Sequence, residues 1–432
     1  MLGIVYLYFS FVLPAFADDA AAAGKAFFGF SQLRRLGVYL AVAAIFIPLA
    51  GYLLSGKYSP LIMTAIRKVS FRAYTSRSFQ ILFPLFAAAV FFSLRNEFLN
   101  YDGLALASKF ARDVPAQGAH VTHDEMWELC IHSRFWYYTN QFWGWSVRLS
   151  YQVLSSLAGG VFVFILIRIF RTMFRRDFLP VMILFVCGGY MQLFLGDVEN
   201  YTLTAVLITG YFLASFVYIK GGVSIIVPSA VLAIAVTFHL LCCFLAPSLL
   251  FLFYLSIRRG RKGAAAASMI TGLSIVLVTL IFFDWYCLPL RELWYKSHAF
   301  GHGGHIRMML TRPSVSYFAD LLNLSFLLAP AWILVIPLLA RKRIRPDNTN
   351  IYLIIASAGM ASFFLGWRAT LGVYGDWNLY AAAAIPVSFL VWRNLFMAIE
   401  EGKLKYSAML PAWLFFLHSY TWIVSNHFLG NG

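Results

Sequence analysis

The sequence predicts an all-α polytopic membrane bundle, and three observations carry that prediction. The chain has 432 residues of which 61% are hydrophobic, only 12% are charged, and its mean hydropathy is +0.74. A water-soluble chain of this length with that composition would expose large apolar patches, so lipid is the solvent it fits. The apolar residues also come in runs of roughly 15 to 20, the length of a membrane-crossing helix, and without the alternation of a lipid-facing barrel strand.

Apolar runs separated by charged gaps place spans near 36–55, 79–95, 152–170, 178–195, 201–218, 224–238, 240–257, 265–283, 320–340, 351–366, 380–395 and 407–425. With residues 1–16 as a further candidate this makes about 12–13 spans. Residues 1–35 read as an N-terminal helix or signal-like segment plus an outer linker, and 36–425 as one transmembrane domain. Asp18 and Asp19 follow the small-residue pattern Ala15-Phe16-Ala17, but no Lys or Arg opens the segment, which favours a retained helix.

The net charge of +16 would suggest nucleic acid in a soluble protein, but topology accounts for it. Lys57, Arg67, Lys68, Arg72 and Arg77 fill one gap, and Arg171, Arg175 and Arg176 another. Arg258, Arg259, Arg261 and Lys262 fill a third, and Arg341, Lys342, Arg343 and Arg345 a fourth. All four gaps lie on the same side of the span list, so the positive-inside rule assigns them to the cytoplasm and excludes nucleic acid as the partner implied. The five cysteines show no CxxC pair and no zinc-ligand spacing.

Two outward loops are long, 96–151 and 284–319. The first carries Asp102, Asp113, Asp124, Glu125 and Glu128 among aromatics from Trp127 to Trp145, a composition suited to helices lying at the membrane interface. The second is basic, with Lys296, His298, His302, His305 and Arg307 around the glycines of GHGGH. Three histidines permit a metal site by spacing, but no carboxylate stands beside them, and a solvated or phosphate-facing role suits a glycine-rich loop better. No cofactor is implied, and a divalent metal is not expected. No Walker or dinucleotide motif is present, so no ATP-driven step is expected.

Polar residues concentrate at four points on the outward side. Asp102, just past a span in NYDG, suits by residue type first the cap of an interfacial helix and second a general base for an acceptor hydroxyl. GDVENY at 196–201 puts Asp197 and Glu199 in a short turn between apolar runs. A carboxylate there lines a polar cavity or sits at a solvated tip. WRATLGVYGDWNLY at 367–380 mixes Arg368 with Asp376, Trp377 and Asn378. Arg368 suits a phosphate through its planar fork, or a pairing with Asp376 or Glu199, while Asp376 and Asn378 suit sugar hydroxyls held against Trp377. His239, between two short apolar runs, reads as a hydrogen-bonded packing residue.

In layout the chain resembles the GT-C superfamily of polytopic glycosyltransferases, which includes the protein O-mannosyltransferases and the aminoarabinose transferases of lipid A. The resemblance rests on an acidic residue beyond an early span, a long first outer loop with interfacial helices and a later basic outer loop. It implies a polyprenyl-phosphate-linked sugar donor, a lipid, glycan or protein acceptor, and an active face turned outward from the membrane. Chain style and short loops suggest a bacterial inner membrane, and an endoplasmic reticulum location keeps the same topology. It maps the catalytic carboxylate onto Asp102, with Asp124 or Glu125 as substitutes, and phosphate binding onto Arg368, Arg307 or Lys296. Glu199, Asp376, Trp377, Asn378, His302 and His305 complete the expected substrate-binding set. The competing classes are a secondary transporter or flippase of a lipid-linked or anionic solute, and a non-catalytic assembly subunit.

Overall fold

A computed structural model describes residues 76–96, 101–117, 119–122, 124–173, 188–286, 315–367 and 376–404, with isolated positions elsewhere. Every regular element among the described residues is helical. The elements are α1 (Arg77–Ser93), α2 (Tyr101–Gln117), α3 (Met126–Trp143), α4 (Val147–Met173), α5 (Thr202–Ile219), α6 (Ile226–Phe238), α7 (Ala246–Arg258), α8 (Lys262–Tyr286), α9 (Val315–Leu328), α10 (Val335–Ala340), α11 (Asn348–Gly366), α12 (Trp377–Ala381) and α13 (Ala384–Glu400). Short 3-10 turns occupy Gly189–Phe194, Leu240–Leu245 and Pro330–Leu334.

Six stretches among the described residues are long and apolar enough to cross a membrane: Val147–Met173, Thr202–Ile219, Leu240–Arg258, Lys262–Trp285, Asn348–Gly366 and Trp377–Glu400. The chain is a multi-pass integral membrane protein. The spans expected at 36–55 and 407–425 lie largely outside the described residues. Burial separates central from peripheral helices: 78% of the apolar window of Trp377–Glu400 is buried, against 17% for Lys262–Trp285. Ile270, Leu273, Val278 and Ile281 of α8 are therefore a lipid-facing stripe rather than a misplaced core.

Two expected spans differ. The run 320–340 bends by 96° between Asp320–Leu328 and Pro330–Ala340, because Pro330 supplies no N–H and pushes Ala329 out of helical conformation, at φ −138° and ψ 60°. The described end of the run 178–195 is the 3-10 turn Gly189–Phe194 rather than α-helix. All six of its residues are buried.

Helices pack in the pairs α1 with α4, α4 with α5, α5 with α6, and α6 with α8, while α11 packs on α13 and α7. In lipid such packing relies on close van der Waals fit and small residues. A Cβ added to Gly160 of α4 would lie 2.9 Å from the Pro84 carbonyl oxygen of α1, and one added to Gly359 of α11 would clash with the Phe244 carbonyl oxygen. At the centre, the Phe389 ring of α13 lies 5.3 Å from that of Phe212 and 5.7 Å from that of Phe216, both on α5.

The two ends of the bundle differ in charge. At one end Arg259 donates to the Tyr218 and Ile219 carbonyls at 3.1 and 2.7 Å, and Lys220 donates to the Thr172 carbonyl. These contacts gather the basic gaps after α4, α5 and α7. At the other end the first outer loop folds into α2 and α3. Trp127 of α3 stacks on Phe282 of α8 at 5.2 Å, and the Leu240 N–H donates to the Asp124 carbonyl at 3.0 Å. The loop expected at the interface is thus helical and tied to the helix ends beneath it.

Candidate functional site

The site grows from a helix start that cannot cap itself. α5 begins after Tyr201, whose side chain makes no capping bond, so its first N–H groups need an acceptor from elsewhere. Glu128 of α3 provides one. Its Oε1 accepts from the Leu203 N–H at 2.9 Å, and its Oε2 from the Thr204 N–H at 2.8 Å and the Thr204 hydroxyl at 2.9 Å. Glu128 is fully buried, and the partial positive charge of a helix N-terminus suits a carboxylate there. One turn along α3, His132 stacks on Tyr151 of α4 at 4.1 Å. Its Nε2 lies 3.5 Å from Glu128 Oε1.

Beside this structural carboxylate stands a more open one. Glu125 precedes α3, and its Oε2 accepts from Asn200 Nδ2 at 3.1 Å. Asn200 Oδ1 in turn accepts from the Tyr151 hydroxyl at 2.8 Å. Glu125 Oε1 lies 3.5 Å from His239 Nε2, an electrostatic contact rather than a full hydrogen bond. His239 closes α6 in an extended conformation, φ −151° and ψ 129°. Its Nδ1 accepts from the Leu241 N–H at 3.1 Å, which assigns the proton of a neutral ring to Nε2, facing Glu125. The side chains are 15% exposed for Glu125 and 7% for His239. Burial holds the Glu125 carboxyl above its ordinary range, with Asp124 and Glu128 adding to the effect and His239 opposing it.

Tyr201 lies against this pair, its ring 5.1 Å from that of His239. Burial raises its hydroxyl well above the usual value, and Glu125, Glu199, Asp124 and Asp376 raise it further. Carboxylates from three separate sequence regions thus act on one phenol. The region is an acidic, tyrosine-lined end of the bundle rather than a set of isolated loop tips.

Asp197 forms a second buried knot. It is 1% exposed. Its Oδ1 accepts from Asn96 Nδ2 at 3.1 Å, while its Oδ2 has no hydrogen-bond partner among the described residues. Gln152 donates to the Asn96 carbonyl at 2.8 Å and Ser155 to the Asp197 carbonyl at 3.2 Å, so α4 holds both strands of the knot. Burial pushes the Asp197 carboxyl up to about 7.

The sequence-expected residues divide accordingly. Asp124, Glu125, Glu199 and Asp376 all lie near enough to the Tyr201 hydroxyl for their charges to raise it. Trp377 is buried and packs in the main core, and Asn378 Oδ1 accepts from the Leu379 N–H at 2.8 Å, so neither side chain presents an open face here. Asp102 sits in the first turn of α2 with its side chain outside the described residues. Lys296, His302, His305, Arg307 and Arg368 also lie outside them. The sequence names Glu128 only among the acids of the first outer loop, gives no role to Asn200 or Tyr151, and reads His239 as a packing residue. The polar break Thr237-Phe238-His239 between apolar runs was the one signal for His239.

Among the described residues no group of three or more His, Cys, Asp or Glu side chains is placed to hold a metal ion. What the arrangement offers is proton chemistry: a partly desolvated carboxylate, fixed by Asn200, against the His239 imidazole. Comparison with protein-family models, with curated proteins and with solved structures gives no match.

Proposed function

We propose that the chain is a membrane glycosyltransferase that moves a sugar from a polyprenyl-phosphate-linked donor to an acceptor hydroxyl, with Glu125 as general base. The observation that carries this reading is the Glu125 and His239 pair, a carboxylate whose proton affinity is raised by burial and whose two oxygens are oriented by Asn200 and His239. A base of this kind works best when its pKa approaches the working pH. In the reaction the acceptor O–H gives its proton to Glu125, the acceptor oxygen bonds to the sugar carbon, and that carbon's bond to the donor phosphate oxygen breaks. Cations stabilise the departing phosphate, and Lys296, Arg307 and Arg368 are the residues assigned to it, with His302 and His305 beside them. Glu199 and Asp376 serve the sugar hydroxyls. Asp102 and Asp124 are the alternative bases.

The test is turnover of a panel of radiolabelled polyprenyl-phosphate sugars by purified protein in lipid, with Glu125→Gln, Asp102→Asn and Asp124→Asn beside the unmodified chain. Transfer lost in Glu125→Gln but retained in the other two supports this assignment. Loss confined to Asp102→Asn moves the base to α2, and no donor consumed by any form rejects the reading.

A transporter of a lipid-linked or anionic solute is the second reading, and the break at His239 favours it, since interrupted helices with polar residues are what such proteins use for binding. Movement of labelled solute across sealed vesicles without covalent transfer is its signature.

A further inference from the structure

At the basic end of the bundle, α4, α5 and α6 line a cleft of about 670 Å³. That is within the roughly 300–1,000 Å³ usual for ligand pockets. Its walls follow helical spacing: Arg168 and Arg171 on α4, Gly210 and Ala214 on α5, Val227 and Val231 on α6. The cleft exists because these α5 and α6 side chains are short. A Cβ added to Gly210 would meet only Val231 Cγ1, at 3.8 Å.

The cleft has an apolar floor and a cationic mouth, and its lining holds no carboxylate among the described residues. Arg168 continues an outward stripe of α4 formed by Leu157, Val161 and Phe164, all exposed in the protein and so facing lipid. Its guanidinium lies 5.5 Å from the centroid of the Phe164 ring. A guanidinium carries five N–H donors, and the polar contact made by Arg168 among the described residues is one to Gln80 Oε1 at 3.5 Å. A cation on a lipid-facing stripe near a helix end sits where phospholipid phosphates lie.

We infer that this cleft binds one anionic phospholipid, its phosphate on Arg168 and Arg171 and an acyl chain along Gly210, Ala214, Val227 and Val231. Charge and shape select the same occupant: a basic pocket between membrane helices suits an anionic headgroup, and the apolar floor excludes a bare phosphate as the full ligand. The basic residues nearby place the site in the leaflet that the positive-inside rule assigns to the cytoplasm.

The experiment is native mass spectrometry of the purified full chain, titrated with phosphatidylglycerol or phosphatidylcholine of equal chain length. One phosphatidylglycerol is expected to bind more tightly than phosphatidylcholine. Arg168→Gln weakens it about fivefold, and the double variant with Arg171→Gln falls to the phosphatidylcholine level. Gly210→Leu fills the cleft and weakens both lipids while leaving the arginines in place. Equal phosphatidylglycerol binding by the unmodified chain and all variants overturns the proposal. So does arginine-dependent binding that Gly210→Leu leaves unchanged, because that is surface attraction without a cleft. Glycerophosphate binding as tightly as phosphatidylglycerol also overturns it, in favour of a soluble phosphate site.

Discussion

Glu128 caps a helix to which it does not belong, its Oε2 accepting both the N–H and the hydroxyl of Thr204, at 2.8 and 2.9 Å, across 76 residues of sequence. This pins α3, an element of the outer loop, to the start of the membrane helix α5, and the neighbouring Glu125 is positioned as a result. Glu128→Ala leaves buried N–H groups without an acceptor and is expected to cost about 1–3 kcal/mol for the lost partners. Thermal unfolding in detergent should show a lower midpoint, and a variant as stable as the unmodified chain would remove Glu128 from its capping role.

Glu125 and His239 make an opposed pair with a pH consequence. Burial raises the Glu125 carboxyl and His239 lowers it. A general base is active when deprotonated, so transfer should fall as pH drops through a value above the ordinary glutamate range. Removing His239 by His239→Ala takes away the lowering contact, and the acid limb should then move to higher pH. The rate profile of each form against pH checks this, and a limb that stays put would separate His239 from the base.

Asp197 carries the clearest linkage. Its carboxyl is raised from 3.8 unfolded to about 7 in the folded chain, so between these values the folded state binds the extra proton. Its contribution to stability is therefore full below about pH 4 and is lost as pH rises through about 7. Asp197→Asn, which retains an acceptor for Asn96, should raise the unfolding midpoint most at pH 8, less at pH 5, and leave it nearly unchanged below about pH 4. Equal shifts throughout would contradict the raised carboxyl.

Gly359 and Gly210 are both helical glycines facing a neighbouring helix, yet they should respond in opposite directions to alanine. A Cβ at Gly359 clashes with the Phe244 backbone carbonyl, whereas at Gly210 it makes only an ordinary van der Waals contact with Val231. Gly359→Ala should destabilise by about 1–3 kcal/mol through overpacking. Gly210→Ala should be neutral or stabilising, by up to about 1 kcal/mol, since alanine is the better helix former. Melting curves of the two variants, measured side by side, distinguish them.

What the sequence determined by itself was the all-helical membrane character, most of the described helix positions and the gathering of basic gaps at one end. Each follows from local quantities: run length, hydropathy and the sign of short loops are properties of consecutive residues. It also marked Asp197 and Glu199 as costly enough to need a reason, because a carboxylate near lipid is expensive, and it named Asp124, Glu125 and Asp376 as site candidates. The tertiary structure decided which of these carboxylates meet. Glu125 and Glu128 sit one helical turn apart with nearly the same neighbours in sequence. One is nonetheless a sealed cap and the other faces His239, a difference set by where α5 starts and α6 stops. The bend at Pro330 was written in one residue, but its size depends on what the two halves pack against. Partners 70 or more residues away, such as Asn200 for Glu125 and Thr204 for Glu128, are chosen by helix packing, and packing depends on the shapes of both faces together.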